Sequence, residues 1–218
     1  MYSLPGFRTM VGVLLCLVIP GRVDLAAREG LYAPHRPGDA ALVRVVNLSP
    51  RKDSPPLRLG PVRFPPKPAM TAGPYRPVPR GVYRLPGPER TVVSPEPASF
   101  VTIVTGFAPE PGEKHHVFQD TPHDDPARAQ LVFYNLSEKE LGLVVADSGK
   151  AIFPPFSGPA SATVALNAVA VELEIRHNGV AMVVTEVLLS RGDSTAVFAV
   201  PRHPGLVGFT ARASVVQD

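Results

Sequence analysis

The fold of this chain is decided by one repeated stretch, Leu42-Val43-Arg44-Val45-Val46-Asn47-Leu48-Ser49, which returns with substitutions as Gln130-Leu131-Val132-Phe133-Tyr134-Asn135-Leu136-Ser137. Each copy is rich in the β-branched, aliphatic and aromatic residues typical of strands, and each ends in the same Asn-Leu-Ser turn. Internal similarity of this kind indicates that two related structural units follow each other along the chain. The sequence therefore predicts two β-domains in tandem.

Composition agrees with short strands and frequent turns. The 218 residues include 27 Pro and 18 Gly, which interrupt regular structure often. Outside the N-terminus no window keeps a helical apolar period over three turns. In the second half, Asn178-Gly179 between two alternating runs is a strong β-hairpin signal. The strands predicted there are near 129–136, 141–146, 150–154, 162–166, 169–177, 180–189, 194–200 and 206–215.

The first half is predicted to be a less regular version of the same fold. Its expected strands lie at 41–48, around 57–64, after Arg80-Gly81, near 90–94 and at 99–106. The stretch 65–79 is so rich in proline that we expect an extended loop or a sheet edge, because each proline removes a donor from the ladder. Residues 108–128 are polar and Pro-rich without periodicity, which predicts an interdomain linker. The predicted fold class is all-β, with two antiparallel β-sandwich domains at 28–107 and 129–218.

The N-terminus reads as a secretory signal over residues 1–27. Arg8 precedes an apolar run from Met10 to Ile19, and Ala26-Ala27 offers a cleavage point. Cys16, the only cysteine, lies inside this segment, so the mature chain would contain no disulfide. Export without disulfides favours a bacterial periplasmic protein.

Charge is divided unevenly between the two halves. Residues 28–107 hold 12 Lys/Arg against 5 Asp/Glu, a net charge of +7, whereas residues 108–218 hold 8 against 13, a net charge of −5. A basic domain of this kind is suited to an anionic polymer or an acidic partner, and export disfavours nucleic acid. The residues predicted to form such a binding surface are Arg44, Arg58, Arg63, Lys67, Arg76, Arg80 and Arg84.

Two short motifs suggest chemistry but lack the context that the chemistry needs. Gly192-Asp193-Ser194 and Asp120-Thr121-Pro122-His123 match the serine block and the Asp-x-x-His block of SGNH esterases, but their order along the chain is reversed. His115, His116, Asp120, His123, Asp124 and Asp125 are potential metal ligands without the spacing of a rigid site. We therefore predict no catalytic residue, no metal site and no cofactor.

The two copies of Asn-x-Ser formally match glycosylation sequons, at Asn47 and Asn135. Their equivalent positions in the repeat favour a different interpretation. We expect each Asn to close the end of a strand through hydrogen bonds to a turn.

With these residues assembled, the chain resembles the AlgF family of bacterial alginate O-acetylation. The resemblance rests on Leu31-Tyr32-Ala33-Pro34, the first copy of the repeat, Arg80-Gly81-Val82-Tyr83, the second copy of the repeat and Leu189-Ser190-Arg191-Gly192-Asp193. It implies a periplasmic tandem β-sandwich needed for acetylation of the polymer. It also implies association with a membrane O-acyltransferase and with periplasmic SGNH-like acetyltransferases, and with a scaffold lipoprotein or the anionic polysaccharide. The chain departs from the family in the Pro- and Arg-rich region 50–79.

Three functions follow from these observations. The first is a non-catalytic periplasmic adaptor required for O-acetylation of an alginate-like exopolysaccharide. The second is a secreted carbohydrate- or surface-binding β-protein outside acetylation. The third is an acyl esterase or transferase that uses Ser194 as its nucleophile.

Overall fold

The structure, a computed structural model, describes residues 38–50, 52–87, 89–106 and 114–216. Regular structure in these residues consists of strands alone, so the all-β prediction is confirmed. The described residues contain no helix of a length and apolarity that would cross a bilayer. The predicted signal segment, residues 1–27 with Cys16, lies outside the described residues.

Seventeen strands follow one another along the described chain. Those of the first half are β1 (Ala40–Asn47), β2 (Leu57–Leu59), β3 (Val62–Phe64), β4 (Thr71–Ala72), β5 (Arg76–Pro79), β6 (Tyr83–Arg84), β7 (Val92–Val93), β8 (Phe100–Thr105) and β9 (His116–Asp120). Those of the second half are β10 (Ala129–Asn135), β11 (Leu141–Val145), β12 (Ala151–Phe156), β13 (Ala160–Leu166), β14 (Ala170–His177), β15 (Val180–Leu188), β16 (Ser194–Pro201) and β17 (Leu206–Arg212).

The first half is built on one five-stranded sheet, here called sheet I. Its order is β4-β1-β8-β9, and β5 pairs with the same edge of β1 as β4 does. β5 lies in the Pro-rich segment and forms an edge of the sheet, as expected. Its prolines at positions 77 and 79 have no N–H to donate, so they are tolerated in a strand with one neighbour and not in a central strand. Two short hairpins, β2–β3 and β6–β7, form a separate hairpin layer.

The second half contains two four-stranded sheets. Sheet II has the order β13-β10-β16-β17, and sheet III has the order β12-β11-β14-β15. All eight strands predicted for this half are present, and the β14–β15 turn contains Asn178 and Gly179, both at positive φ as the hairpin signal requires. The prediction of purely antiparallel sheets is wrong in one respect. β1 runs parallel to β8 and β10 runs parallel to β16, so sheets I and II are mixed.

The repeated strands β1 and β10 occupy equivalent central positions, and alternation along them explains the layering. Alternate side chains of β1, such as Val43 and Val45, pack with the hairpin layer, and those of β10, such as Leu131 and Phe133, pack with sheet III. The other side chains of both strands meet in a third apolar cluster between sheets I and II. The described residues therefore form four layers in the order hairpin layer, sheet I, sheet II and sheet III.

The predicted linker at 108–128 requires a correction, because it contains a strand of sheet I. Residues 116–120 form β9, which pairs antiparallel with β8. Phe118 of β9 contributes to the cluster shared by sheets I and II. The sequence of β9 is short and carries a histidine and a glutamine, so its strand conformation depends on pairing with β8 more than on its own propensity. The domain limits themselves stay a prediction, since the described residues all fall in one compact unit.

The turn chemistry predicted from the repeat is confirmed. Asn47 and Asn135 are 1% and 0% exposed, and their side-chain amides donate to main-chain carbonyls of the loops that follow. In each copy the side-chain oxygen also accepts a hydrogen bond from the main-chain N–H two residues on, Ser49 in one copy and Ser137 in the other. Burial makes these asparagines structural residues of the strand ends.

Candidate functional site

A cluster of five polar side chains is buried between sheets I and II, the place where the two halves of the chain meet. These side chains come from β1, the segment before β5, β8, β9 and β10, and they are Arg44, Tyr75, Thr102, Asp120 and Tyr134. Each is 8% exposed or less. Burial of so many polar groups is costly unless they satisfy one another, so their hydrogen bonds decide what the cluster does.

Three hydroxyl groups donate hydrogen bonds to the carboxylate of Asp120. Tyr134 donates to Oδ1 at 2.5 Å, whereas Tyr75 and Thr102 donate to Oδ2 at 2.8 and 2.5 Å. Arg44 donates in turn to two of these hydroxyl oxygens, to Thr102 at 2.8 Å and to Tyr134 at 3.1 Å. The guanidinium also lies over the Tyr75 ring, 4.8 Å from its centroid. The positive and negative charges are thus connected through hydroxyl bridges.

Electrostatics within the cluster favour a charged arginine and neutral tyrosines. Burial lowers the pKa of Arg44, but attraction to Tyr75, Tyr134 and Asp120 outweighs burial and raises it overall. Burial is also the main cause that raises the pKa of Tyr75 and of Tyr134, because it disfavours the phenolate. Both phenols therefore remain hydrogen-bond donors to Asp120 over the neutral pH range.

The cluster holds the two halves of the chain together. Its hydrogen bonds run between side chains of sheets I and II, and among the described residues the buried Nη1 atom of Arg44 has no hydrogen-bond partner. The Tyr134 ring stacks on Phe198 of its own sheet at 4.5 Å and contacts Phe118 of sheet I edge to face at 5.2 Å. Two further contacts cross between the halves nearby. The Arg202 guanidinium donates to the carbonyl of Leu48, and the main chain of Tyr75 pairs with the segment after β17 through Ser214.

Arg44 was predicted to belong to a partner-binding surface, and this prediction is wrong. The side chain is only 2% exposed and its guanidinium is committed to the buried cluster. A single sequence does not distinguish a buried arginine from an exposed one when both lie on a strand of alternating residues, because burial depends on what covers that face. Here sheet II covers it.

Three of the other predicted arginines share one exposed surface, which we call the arginine face: Arg58, Arg63 and Arg84. Arg58 and Arg63 are directly opposite each other in the β2–β3 hairpin, and both are exposed. Arg84 is exposed on β6. The ring of the neighbouring Tyr83 lies close to Gly60 of the β2–β3 turn, which places β6 beside that hairpin. The alternate residues of the hairpins point inward and pack on sheet I. The arginine face is therefore the outer surface of the hairpin layer.

The remaining three predicted residues lie outside the strands of the hairpin layer. Arg80 is exposed in the loop before β6. Lys67 and Arg76 are half-buried, and burial followed by the charge of Arg76 lowers the pKa of Lys67. Of the residues predicted to bind a partner, four are thus exposed (Arg58, Arg63, Arg80 and Arg84), two are half-buried (Lys67 and Arg76) and Arg44 is buried. The binding role of the exposed residues stays a prediction.

The residues of the esterase-like motifs do not form a catalytic triad. The hydroxyl of Ser194 donates to the Oε1 atom of Gln130 at 2.7 Å, and His123 Nε2 lies 3.0 Å from the carbonyl oxygen of Arg128. Asp120 belongs to the buried cluster, where its carboxylate accepts from Tyr75, Thr102 and Tyr134. In an esterase the histidine would accept the serine proton and the aspartate would orient the histidine. Each of these three side chains instead has a structural partner.

The potential metal ligands of residues 115–125 are likewise separated by the fold. His115 is buried and its Nε2 atom lies 2.7 Å from the carbonyl oxygen of Pro86, whereas the carboxylate of Asp125 accepts the main-chain N–H of Ala127. The described residues contain no group of three or more His, Cys, Asp and Glu side chains placed to hold a metal ion.

The buried cluster is the feature that sequence reasoning missed. Tyr75 and Thr102 carried no motif, and Asp120 was assigned to the linker. The sequence contained one indication of this cluster. Arg44 and Tyr134 lie in the two copies of the repeat, and alternation places each of them on the corresponding side of its strand. Their meeting required the two sheets to pack against each other.

Comparison with known proteins gives one family. The family model described as "Alginate O-acetyl transferase AlgF" matches residues 14–196. Among solved structures, the C-terminal domain of AlgF from P. aeruginosa matches at 20% identity and a TM-score of 0.37, covering 39% of this chain and 98% of that domain. No curated protein matches the chain.

Proposed function

The chain belongs to the AlgF family, which is involved in alginate O-acetylation, and we propose that it acts there as a non-catalytic periplasmic adaptor. Its partners in this proposal are the membrane O-acyltransferase and the periplasmic SGNH-like acetyltransferases of the same system. A scaffold lipoprotein and the anionic polysaccharide itself are further partners. The adaptor positions these components so that acetyl groups reach the polymer.

The observation that carries the proposal is the arginine face. Arg58, Arg63 and Arg84 are exposed together, and no acidic side chain of the described residues pairs with them. A guanidinium is suited to carboxylates, since it can donate two parallel hydrogen bonds to one of them. An acidic surface of an acetyltransferase and a uronate polymer both offer such carboxylates. The surface is placed on short hairpins that the core beneath them holds in position.

The geometry around Ser194 supports an adaptor over an esterase. An acyl-transfer enzyme needs a serine whose hydroxyl is bound to a base. Ser194 is bound to a glutamine side chain, which cannot take its proton at neutral pH. The chemistry of acetyl transfer is therefore assigned to the partners.

The proposal is tested by the acetyl content of the secreted polymer in cells that lack the gene and in cells that carry variants. We expect deletion to abolish acetylation at normal polymer yield. Arg58→Glu/Arg63→Glu is expected to lower acetylation several-fold, whereas Lys150→Glu/Arg191→Glu, an equal charge change at exposed sites of the second half, leaves it unchanged. Normal acetylation in the deletion strain overturns the proposal. Equal effects of the two double variants would overturn the role of the arginine face.

A further inference from the structure

Sheet III carries a surface that mirrors the arginine face in charge. Glu172 of β14 and Glu186 of β15 are directly opposite each other, and both are exposed. Val184 and Leu188 lie on the same outer face of the sheet and are 53% and 60% exposed. We call these four residues the glutamate face.

Each of these two faces places two like charges directly opposite each other, and no oppositely charged side chain within the described part of the chain forms an ion pair with them. Residues directly opposite in a non-hydrogen-bonded or hydrogen-bonded antiparallel pair have Cα atoms about 4.5–5.5 Å apart, so Arg58 repels Arg63 and Glu172 repels Glu186. Among the described residues, no ion pair includes any of these four. On sheet III the pair is Glu174 with Arg176 at 2.6 Å, and near the hairpin layer it is Glu89 with Lys114 at 3.8 Å. A bound surface of opposite charge would remove the repulsion at either face.

The two faces match in spacing as well as in charge. Each contains one pair of like charges directly opposite each other on neighbouring antiparallel strands, Arg58 with Arg63 and Glu172 with Glu186, so the Cα atoms of the two pairs have similar separations. Each is bordered by exposed apolar side chains. Val92 is 48% exposed next to Arg84, and Val184 and Leu188 flank the glutamates. Apolar area beside the charges adds contact that does not depend on salt.

The faces also lie at opposite ends of the four-layer stack. The arginine face is the outer surface of the hairpin layer and the glutamate face is the outer surface of sheet III, with sheets I and II between them. One copy of the chain therefore cannot bring its own two faces together. Contact between different surfaces of two copies is heterologous, and each such contact leaves one face of each kind free at the ends.

We propose that the glutamate face is a docking site for the arginine face of a second copy of this chain, so that the protein associates head to tail. The inference rests on the placement of charge and is independent of the proposed role in acetylation. A second copy and an acidic partner would use the same arginine face, so one arginine face holds one of them at a time.

The test is sedimentation of the purified protein over a range of concentrations at low and high salt. The Debye length falls from about 30 Å at 0.01 M to about 3 Å at 1 M, so a contact made by exposed charges weakens strongly over that range. We expect the average mass at low salt to at least double as concentration rises and to return to the monomer value at high salt. A wild-type protein that stays monomeric at low salt overturns the proposal.

Charge-swap variants identify the surfaces. Arg58→Glu/Arg63→Glu and Glu172→Arg/Glu186→Arg should each remain monomeric alone, and an equal mixture of the two should associate. The variant with all four substitutions should associate as the wild type does, which also shows that the substitutions permit folding. Lys150→Glu/Arg191→Glu should associate normally. Association of either double variant alone, or failure of the mixture and of the fourfold variant to associate, overturns the proposal.

The outcome is separable from that of the proposed function. Glu172→Arg/Glu186→Arg leaves the arginine face intact, so this variant is expected to lose self-association and to keep polymer acetylation. If acetylation is unaffected by deleting the gene, the proposed function fails while the sedimentation result stands on its own.

Discussion

Tyr134 of the second repeat donates a 2.5 Å hydrogen bond to Asp120 of β9, and this contact joins the two halves of the chain inside their shared core. The same carboxylate accepts from Tyr75 and Thr102 of the first half. Asp120 is therefore the acceptor on which both halves converge. Its environment gives the most direct tests of how the fold is held together.

Asp120→Asn is expected to destabilise the protein by about 3–5 kcal/mol. The substitution removes the negative charge that offsets Arg44 and replaces an acceptor oxygen by an N–H group that faces hydroxyl donors. The free energy of unfolding is measured by urea titration. Asp147→Asn, at an exposed turn, is the control and should change stability by less than about 0.5 kcal/mol. Equal effects of the two substitutions would contradict a structural role for the cluster.

The double variant Arg44→Met/Asp120→Leu is expected to be less destabilised than the sum of its single variants. Each single change leaves one charge buried without its counterpart, whereas the double change removes both charges from the interior. A double-mutant cycle of unfolding free energies measures the coupling between the two residues. Simple additivity would show that the hydroxyl bridges do not couple them.

Stability is expected to fall at alkaline pH because of the buried tyrosines. A tyrosine in the unfolded chain ionises near pH 10.0, and burial raises the pKa of Tyr75 and of Tyr134 in the folded protein. Above pH 10 the folded state therefore binds more protons than the unfolded state. Stability is complete below that pH and is lost as pH rises toward the folded values, by about 1.4 kcal/mol per pH unit for each tyrosine.

Tyr134→Phe should reduce this alkaline slope, since it removes one of the two phenols. The free energy of unfolding is compared between pH 8 and pH 11 for the variant and the wild type. An unchanged slope would show that Tyr134 does not cause the loss of stability.

Phe118→Ala is expected to cost about 3–5 kcal/mol and to loosen both halves together, because Phe118 packs in the cluster shared by sheets I and II. Its ring contacts that of Tyr134 at a centroid distance of 5.2 Å. Hydrogen exchange should become faster in both β1 and β10. Val117→Ala, one residue earlier on the 37% exposed side of the same strand, is the control and should leave both strands protected. Faster exchange in β1 alone would indicate that the halves are not coupled through Phe118.

Ser194→Ala is expected to leave polymer acetylation at the wild-type level. The substitution removes one hydrogen bond, to Gln130, and costs about 1 kcal/mol of stability. Acetyl content in cells that carry the variant is compared with that of the deletion strain. Loss of acetylation by a stably folded Ser194→Ala protein would restore the esterase hypothesis.

Local pattern predicted the second half closely and the first half less well. Alternation, Val-rich runs and the turn at Asn178 and Gly179 located all eight strands from β10 to β17. In the first half, the short strands β4 and β5 lie in a Pro-rich segment, and β9 lies in a polar one. Such strands are stabilised by their neighbours in the sheet, so their own residues indicate them weakly.

The basic surface was predicted in the same partial way. Arg58, Arg63 and Arg84 lie on strands where alternation places charged residues outward, and they are exposed as expected. Arg44 also alternates with apolar residues, but its side of the strand is covered by the second half of the chain. Alternation identifies which residues share a face and does not tell whether that face meets water or another sheet.

Patterns within the sequence were enough to predict the all-β class, the two related copies of the central strand, the strand-ending role of Asn47 and Asn135, and the family. These features depend on residues close together in the chain, or on similarity between stretches, and both are visible in one dimension. Tertiary structure alone decided that the two copies turn the same kind of face toward each other, and that Arg44, Asp120 and Tyr134 meet there. The reason is physical: burial and hydrogen bonding between residues far apart in the chain depend on which sheets pack together, and that choice is made by the whole core.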